Sequence, residues 1–236
     1  MNVVVKAIEE KRNPAKDLEE IVEAFAAIPT RLEAKPSIGV VGEVYVRNNS
    51  FSNEYITRRI EDFGGVAIVT PLMEWVFFTN HEYKVNSKRL KNWKHMFIST
   101  TKDLIQKFYH NRVLKPFERL DIPLGETHTE VILEKSYPYL KSSVGGEAIL
   151  SVGKAIDYID EGLDGIINVM PFSCLPGTIV ASLSKNIRDD HNNIPWLNLS
   201  FDGSKDPSSI TRLETFMFQA KQYKENKDKE GKDNGR

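Results

Sequence analysis

The feature that most constrains the fold is an almost uninterrupted run of β-branched and apolar residues over 37–46, with the sequence SIGVVGEVYV. A strand with one wet face alternates apolar and polar residues, whereas this run places apolar residues at successive positions. It therefore predicts a strand that is buried on both faces, as in a parallel sheet.

The residues that follow complete a β–α–β unit. Ile56, Ile60 and Phe63 recur at helical spacing, and a Gly-Gly pair ends that helix. A second short apolar run over 66–70 predicts the next strand. Such a unit is the building block of an open parallel sheet.

The alternation of predicted strands and helices is interrupted in the middle of the chain and resumes after it. Residues 71–146 are rich in Lys and aromatic residues and mostly helical in pattern, whereas strands are predicted again at 165–170 and 196–201. The fold class is therefore α/β: a Rossmann-like or flavodoxin-like open parallel sheet, with helices on both faces and a helical insertion in the middle. The expected divisions are a helical segment (1–36), an α/β domain (37–220, with the insertion at about 71–146) and a disordered charged tail (221–236).

Composition argues against several classes of partner. The 236 residues carry 32 Lys and Arg against 33 Asp and Glu, which leaves a net charge of −1. This balance gives no electrostatic reason to expect nucleic acid or a membrane surface as the partner. No apolar run reaches the roughly 18 residues of a membrane span, and the first residues do not resemble a secretory signal. A single cysteine in such a chain indicates the reducing cytoplasm.

Ligands of open parallel sheets collect beyond the carboxyl ends of the strands, and three segments of this chain lie there, at 43–53, 171–178 and 202–209. Acidic, basic and tyrosyl side chains at or near these ends are candidates for a substrate cleft: Glu43, Tyr45, Arg47, Glu74, Glu147 and Asp202. The same residue types also occur at ordinary strand ends in contact with water, and Asp202 with Gly203 is more often simply a turn.

The loop PFSCLPGT carries the single thiol between two prolines, just before a predicted helix. Proline stiffens the loop, and the positive end of a helix favours a thiolate at Cys174. Free backbone N–H groups there could bind a cluster or a phosphate. The candidate cofactor-binding residues are Pro171, Phe172, Ser173, Cys174, Pro176, Gly177 and Thr178. On spacing alone, Cys174 is more typical of a packed, inert thiol. A nucleophilic role is the weaker alternative, because the sequence places no base near the thiol.

Several short motifs occur in an order that resembles one known family. They are GEVYVRNNSFSNEYITRRIEDFGG, VTPLMEWVFFTN, GGEAILSVGKA, GIINVMPFSCLPGTIV, IPWLNLSFDG and TRLETFMFQAK. Together they resemble the C-terminal part of the 2-hydroxyacyl-CoA dehydratase family, in particular the long proteins related to CoA-enzyme activases. The resemblance runs from about Lys35 to Lys221.

The resemblance implies a Rossmann-like α/β domain, a 4Fe–4S cluster held by cysteine thiolates, and radical elimination of water from a 2-hydroxyacyl-CoA. The family's cluster-binding cysteine in the xCxPG loop corresponds to Cys174, which makes Cys174 the implied metal ligand. The further cysteines of the family are missing here, as is the glycine-rich core of an ATPase. The cluster would therefore be labile or shared with a cysteine-bearing dehydratase-like or activase-like subunit.

Two functions remain open from the sequence. One is a lyase component, inactive as an isolated chain, that contributes one cluster ligand and part of an acyl-CoA cleft. The other is a non-catalytic binding or assembly domain that keeps the fold and binds no cluster. The sequence also leaves open whether the chain forms a homo-oligomer.

Overall fold

A computed structural model describes residues 2–12, 14–29, 35–120, 127–141, 144, 146–204 and 206–233. The chain divides into two compact units. The first comprises 1–33 and 79–124, and the second comprises 34–78 and 125–236.

The second unit is built on a four-stranded sheet with the order β2-β1-β3-β4, in which every neighbouring pair is parallel. Its strands are β1 (Ser37–Gly42), β2 (Val66–Val69), β3 (Gly165–Pro171) and β4 (Trp196–Phe201). In the centre of the sheet, Val40 of β1 is in register with Val69 of β2 and with Ile167 of β3. The open parallel sheet expected from the sequence is confirmed.

The helices follow the strands in alternation outside a long helical stretch in the middle of the chain. In chain order they are α1 (Asn2–Glu9), α2 (Ala15–Ala26), α3 (Val44–Asn48), α4 (Ile56–Asp62), α5 (Leu72–Arg89), α6 (Trp93–Leu114), a 3-10 helix (Lys115–Leu120), α7 (Thr129–Ser136), α8 (Ala148–Asp160), α9 (Leu175–Asp190) and α10 (Pro207–Asp233). None of the described helices combines the length and apolar character needed to cross a bilayer.

The sheet is covered on both faces, as the continuous apolar strands require. On one face, α4 and α10 contribute Ile60 and Phe216 to a core that includes Val40 of β1. On the other, α8 and α9 contribute Val152 and Val180 to a second core cluster. Because helices cover both faces, a ligand reaches the sheet at the carboxyl ends of its strands.

The first unit is helical. Within it α2, α6 and the 3-10 helix pack on one another. A buried pair joins α5 to α6, since Ser99 Oγ donates to Asn80 O at 3.3 Å and Asn80 Nδ2 donates to Ser99 O at 3.4 Å.

The first strand is shorter than the sequence predicts. The run at 37–46 was expected to be a strand throughout, but β1 ends at Gly42 and helix α3 begins at Val44. Gly42 has φ +113°, and a Cβ there would lie 2.0 Å from Val169 O, so only glycine fits this exit from the sheet. The Glu43 carboxylate then accepts hydrogen bonds from the first N–H groups of α3, from Tyr45 N at 3.0 Å and from Val46 N at 2.8 Å.

The prediction of a disordered tail from Lys221 is wrong as far as Asp233, because α10 continues to that residue. The physical reason is a buried acceptor on another element. The Asp164 carboxylate is ion-paired with Lys227 and lies 3.6 Å from Lys224 Nζ, and Tyr223 packs against the second core cluster. Residues 234–236 of the expected tail lie outside the described residues.

Candidate functional site at the carboxyl edge of the sheet

The chain order of the strands reverses between β1 and β3. From β1 the chain first moves outward to β2, and then returns to the other side of β1 for β3 and β4. The loops that leave β1 and β3 therefore diverge, which opens a crevice at their carboxyl ends. This reversal point is where open α/β sheets bind their ligands.

A cleft of about 650 Å³ lies at this edge. It is lined by residues that follow β1, together with the ends of β3 and β4: Glu43, Tyr45, Val46, Phe51, Ser52, Glu54, Tyr55, Arg59, Pro171, Phe201, Gly203 and Ser204. Of the residues singled out from the sequence, Glu43, Tyr45 and Pro171 line it directly. Asp202 lies beside two lining residues, and hydrogen bonds from the Ser204 hydroxyl and backbone N–H lower the pKa of its carboxyl.

Four of the twelve residues that line the cleft are aromatic. Tyr45, Phe51 and Tyr55 all expose most of their surface. The charged members Arg59 and Glu54 form an ion pair, with Arg59 Nη1 2.8 Å from Glu54 Oε2. Glu54 and Tyr55 both have positive φ, at +52° and +59°, a conformation that non-glycine residues seldom adopt. Sequence reasoning missed Phe51, Tyr55 and Arg59, although Phe51 and Tyr55 precede α4 in the segment after the first strand and Arg59 lies on α4 itself.

The loop that carries the thiol begins at the cleft and ends in α9. Cys174 is half-buried and is the N-cap residue of α9. Its backbone N–H donates to Pro171 O at 3.1 Å, and its carbonyl accepts from Thr178 N at 2.9 Å and from Thr178 Oγ1 at 2.8 Å. Ser173 has φ +62°, which turns the chain sharply into the helix.

The remaining loop residues explain its shape. Phe172 and Leu175, on either side of the turn, are 70% and 71% exposed. Pro176 lies in the first turn of α9, where a missing N–H costs no helical hydrogen bond. A Cβ on Gly177 would lie 2.5 Å from Met170 Sδ, so glycine lets the helix approach the end of β3.

The described residues do not by themselves fit a complete iron–sulfur site. The chain has one cysteine, and within the described ranges no three His, Cys, Asp or Glu side chains are grouped so that they could hold a metal ion. A 4Fe–4S cluster is commonly held by four thiolates. Cys174, which is partly buried, matches one such ligand only, so the rest would have to come from another molecule.

A buried ionic cluster lies under the same edge, on the face covered by α8. Lys154 Nζ is 2.9 Å from Asp157 Oδ2 and 3.5 Å from Glu74 Oε2. Asp157 also accepts hydrogen bonds from Lys135 Nζ at 2.8 Å and from Thr127 Oγ1 at 2.7 Å. Burial opposes the charge of Asp157, but these donors outweigh it and lower the pKa of that carboxyl.

Glu74 lacks comparable donors. Burial raises the pKa of its carboxyl to about 7, against the opposing attraction of Lys154 and Arg47. Among the described residues, neither of its carboxylate oxygens has a hydrogen-bond donor. Glu74 is therefore a buried acid that exchanges its proton near neutral pH.

Arg47 is buried at the same place, with 3% of its surface exposed. Its Nη1 donates to Gly42 O at 2.9 Å, whereas its Nε and Nη2 have no acceptor among the described residues. Burial lowers the pKa of the guanidinium, and Glu74 is the strongest of the opposing charges. Tyr158, whose pKa is raised by its burial, packs its ring against Gly39 next to this group.

The six residues predicted for one cleft thus separate into three places. Glu43, Tyr45 and Asp202 lie at the open cleft, and Arg47 and Glu74 lie in the buried ionic cluster. Glu147 accepts a hydrogen bond from Trp75 Nε1 at 2.5 Å. Lys154 and Asp157 were missed, although two charges within the apolar run AILSVGKAIDYI were a visible signal.

Fold and site together define an α/β protein with an open parallel sheet, a cleft at its reversal point and a buried ionic cluster beneath it. No family model, no curated protein and no solved structure matches this chain.

Proposed function

We propose that this chain is a cytoplasmic subunit of a 2-hydroxyacyl-CoA dehydratase-like system. In this proposal it provides part of an acyl-CoA cleft and one thiolate ligand, Cys174, of a 4Fe–4S cluster that it shares with a cysteine-bearing partner. The observation that carries the proposal is the position of the thiol. Cys174 is partly exposed, and its loop starts at Pro171, a residue that lines the cleft.

The cleft suits the ligand class in two respects. Its volume of about 650 Å³ is within the range of small-molecule and cofactor sites. The exposed rings of Tyr45, Phe51 and Tyr55 offer apolar surface for a pantetheine chain and faces on which a base can stack. Arg59 is the cation that borders this surface.

In this proposal the chain contributes one ligand of the cluster and carries out no step of the reaction. Cys174 is the only thiol in the sequence, so the isolated chain cannot complete a cluster by cysteine ligation. The exposed side chains of Phe172 and Leu175 flank it and supply apolar surface for a partner that brings the other ligands.

The same two side chains favour the second candidate, a binding or assembly domain without a cluster. Large exposed apolar residues beside a loop are typical of protein interaction sites, whatever the role of the thiol. The two functions differ in whether iron binds at Cys174 and in whether the cleft binds acyl-CoA.

Anaerobic reconstitution tests the proposal. The purified chain would be incubated with iron, sulfide and glutathione, which supplies the missing thiolates, and followed by absorption and electron paramagnetic resonance. We expect cluster signals that Cys174→Ala abolishes and that the matched control Ser182→Ala, an exposed position of α9, retains. Equal signals in all three proteins would overturn the cluster role.

The acyl-CoA part has its own test. Calorimetric titration with free CoA should give saturable binding that Tyr55→Ala weakens and that Cys174→Ala leaves unchanged. If CoA does not bind and iron does not depend on Cys174, the assembly domain remains as the function.

A further inference from the structure

Arg47 presents one complete edge of its guanidinium without a protein acceptor. Nη1 is bonded to the carbonyl of Gly42, and the atoms without acceptors among the described residues are Nε and Nη2. These two N–H groups point in the same direction, and together they form the fork that binds both oxygens of a carboxylate. Each buried donor without an acceptor destabilises the folded protein by about 1–3 kcal/mol. Two such donors on one side chain therefore indicate a group that binds there.

Glu74 completes the arrangement. It is 7% exposed, and its two oxygens have no donor among the described residues. Arg47 follows β1 on α3, whereas Glu74 lies in the first turn of α5 just after β2. Two neighbouring strands of the sheet therefore bring an arginine fork without an acceptor and a carboxyl that is paired with Lys154 to one place beneath the carboxyl edge.

A surface depression lies where the two segments meet. It has a volume of about 340 Å³ and is lined by neighbours of Arg47 and of Glu74 in the sequence, namely Val44, Tyr45, Asn48, Asn49, Leu72 and Trp75. It is distinct from the larger cleft, because Tyr45 is the one lining residue that the two have in common. Arg47 and Glu74 do not line this depression, so a ligand that enters there has to pass between α3 and α5 to reach them.

We propose that Arg47 and Glu74 form an interior site for one small monocarboxylate, which the Arg47 fork binds through both oxygens while Glu74 carries a proton. This site goes beyond the proposed function, because it involves neither Cys174 nor the larger cleft. A planar, singly charged anion matches the fork, and the protonated Glu74 removes the repulsion between two carboxylates. Inorganic phosphate at neutral pH carries more negative charge than the fork compensates.

The surrounding charges set the coupling between the ligand and the proton. Lys154 and Asp157 of α8 form their own ion pair, and Lys154 also attracts Glu74. Glu43 caps α3 and Glu147 accepts from Trp75, so these two carboxylates already have donors of their own. Tyr158, also on α8, is a neutral phenol whose pKa is raised. An entering anion therefore favours proton uptake at Glu74. Because the pKa of this carboxyl is about 7, the uptake requires little free energy near neutral pH.

The test is calorimetric titration of the full chain with acetate, propionate and inorganic phosphate at pH 6 and pH 8, in two buffers of different ionisation enthalpy. We expect saturable carboxylate binding at pH 6, about tenfold weaker binding at pH 8, and proton uptake at the higher pH. Phosphate should not bind. Glu74→Gln, which mimics the protonated acid, should bind equally at both pH values without proton uptake.

Two further variants fix the location. Arg47→Lys keeps the charge but lacks the fork, and it should weaken binding at least about tenfold. Arg58→Lys, the matched control at an exposed arginine of α4, should leave binding unchanged. If Arg47→Lys fails to fold, the loss of pH dependence in Glu74→Gln decides the question alone. Absence of saturable carboxylate binding at pH 6, or binding whose pH dependence survives in Glu74→Gln, overturns the site.

Discussion

Lys154 Nζ lies 2.9 Å from Asp157 Oδ2 on one face of α8, and neither side chain has appreciable contact with solvent. The two residues are one helical turn apart, so the helix itself presents them to each other. Because both charges are desolvated, each depends on the other for compensation. This pair also supports Glu74, which lies 3.5 Å from the same ammonium group.

Removal of the Lys154 charge should destabilise the fold strongly. Lys154→Met leaves Asp157 with fewer donors and Glu74 without its nearest cation, and breaking a buried pair typically costs about 3–5 kcal/mol. Urea denaturation measures the loss. The control is Lys6→Met, whose partner Glu10 lies 3.9 Å away in a largely exposed pair, and which should cost less than about 1 kcal/mol. Equal losses in the two variants would contradict a compensated buried pair.

The stability of the protein should decrease as the pH rises through neutrality. Glu74 has a pKa of about 7 in the folded protein and close to its ordinary value of about 4.3 when unfolded. Between these values the folded state holds the extra proton, so the free energy of unfolding falls with rising pH by a total of about 4 kcal/mol. Unfolding in urea at pH 5, 6, 7 and 8 measures this decrease.

Glu74→Gln is the control for that profile. It should flatten the decrease and make the protein more stable than wild type at pH 8, because the amide carries no buried charge. A profile with the same slope in both proteins would assign the decrease to another group.

Gly39→Ala should disrupt the contact between β1 and α8. An added Cβ would lie 2.5 Å from Tyr158 Cδ2, and the ring is fully buried. Overpacking of this kind costs about 1–3 kcal/mol, measurable by thermal or urea unfolding. The double variant Gly39→Ala/Tyr158→Leu should lose less than the sum of the two single variants, since the smaller side chain makes room. If the losses in the free energy of unfolding of the two single variants simply added, the Tyr158 ring would not be the reason that position 39 requires glycine.

The end of α10 should depend on Asp164. This buried carboxylate is ion-paired with Lys227, accepts a hydrogen bond from Ser37 N at 2.9 Å and lies 3.6 Å from Lys224 Nζ. Asp164→Asn should therefore speed amide hydrogen exchange over 222–233 and lower the free energy of unfolding by about 1–3 kcal/mol. Asp228→Asn, on the same segment of α10, should change neither. Unchanged exchange in Asp164→Asn would mean that helical propensity alone holds the segment.

Local sequence patterns were sufficient to predict the strands and the edge at which to look for a site. Runs such as GIINVM and WLNLSF contain enough β-branched and apolar residues to predict buried strands, and β3 and β4 are found there. Since parallel strands all end at the same edge, Glu43, Tyr45 and Pro171 could be assigned to it before their contacts were known.

Tertiary structure alone decided the order of the strands and the surroundings of each charge. The strand order β2-β1-β3-β4 follows from how whole helices pack on the sheet, which no single segment encodes. Arg47, Glu74 and Lys154 come from α3, α5 and α8, far apart in sequence, and they share one buried region only because β1 and β2 are neighbours. Burial and the distance to an opposite charge determine the protonation of Glu74, and both are properties of the folded protein rather than of any local run of residues.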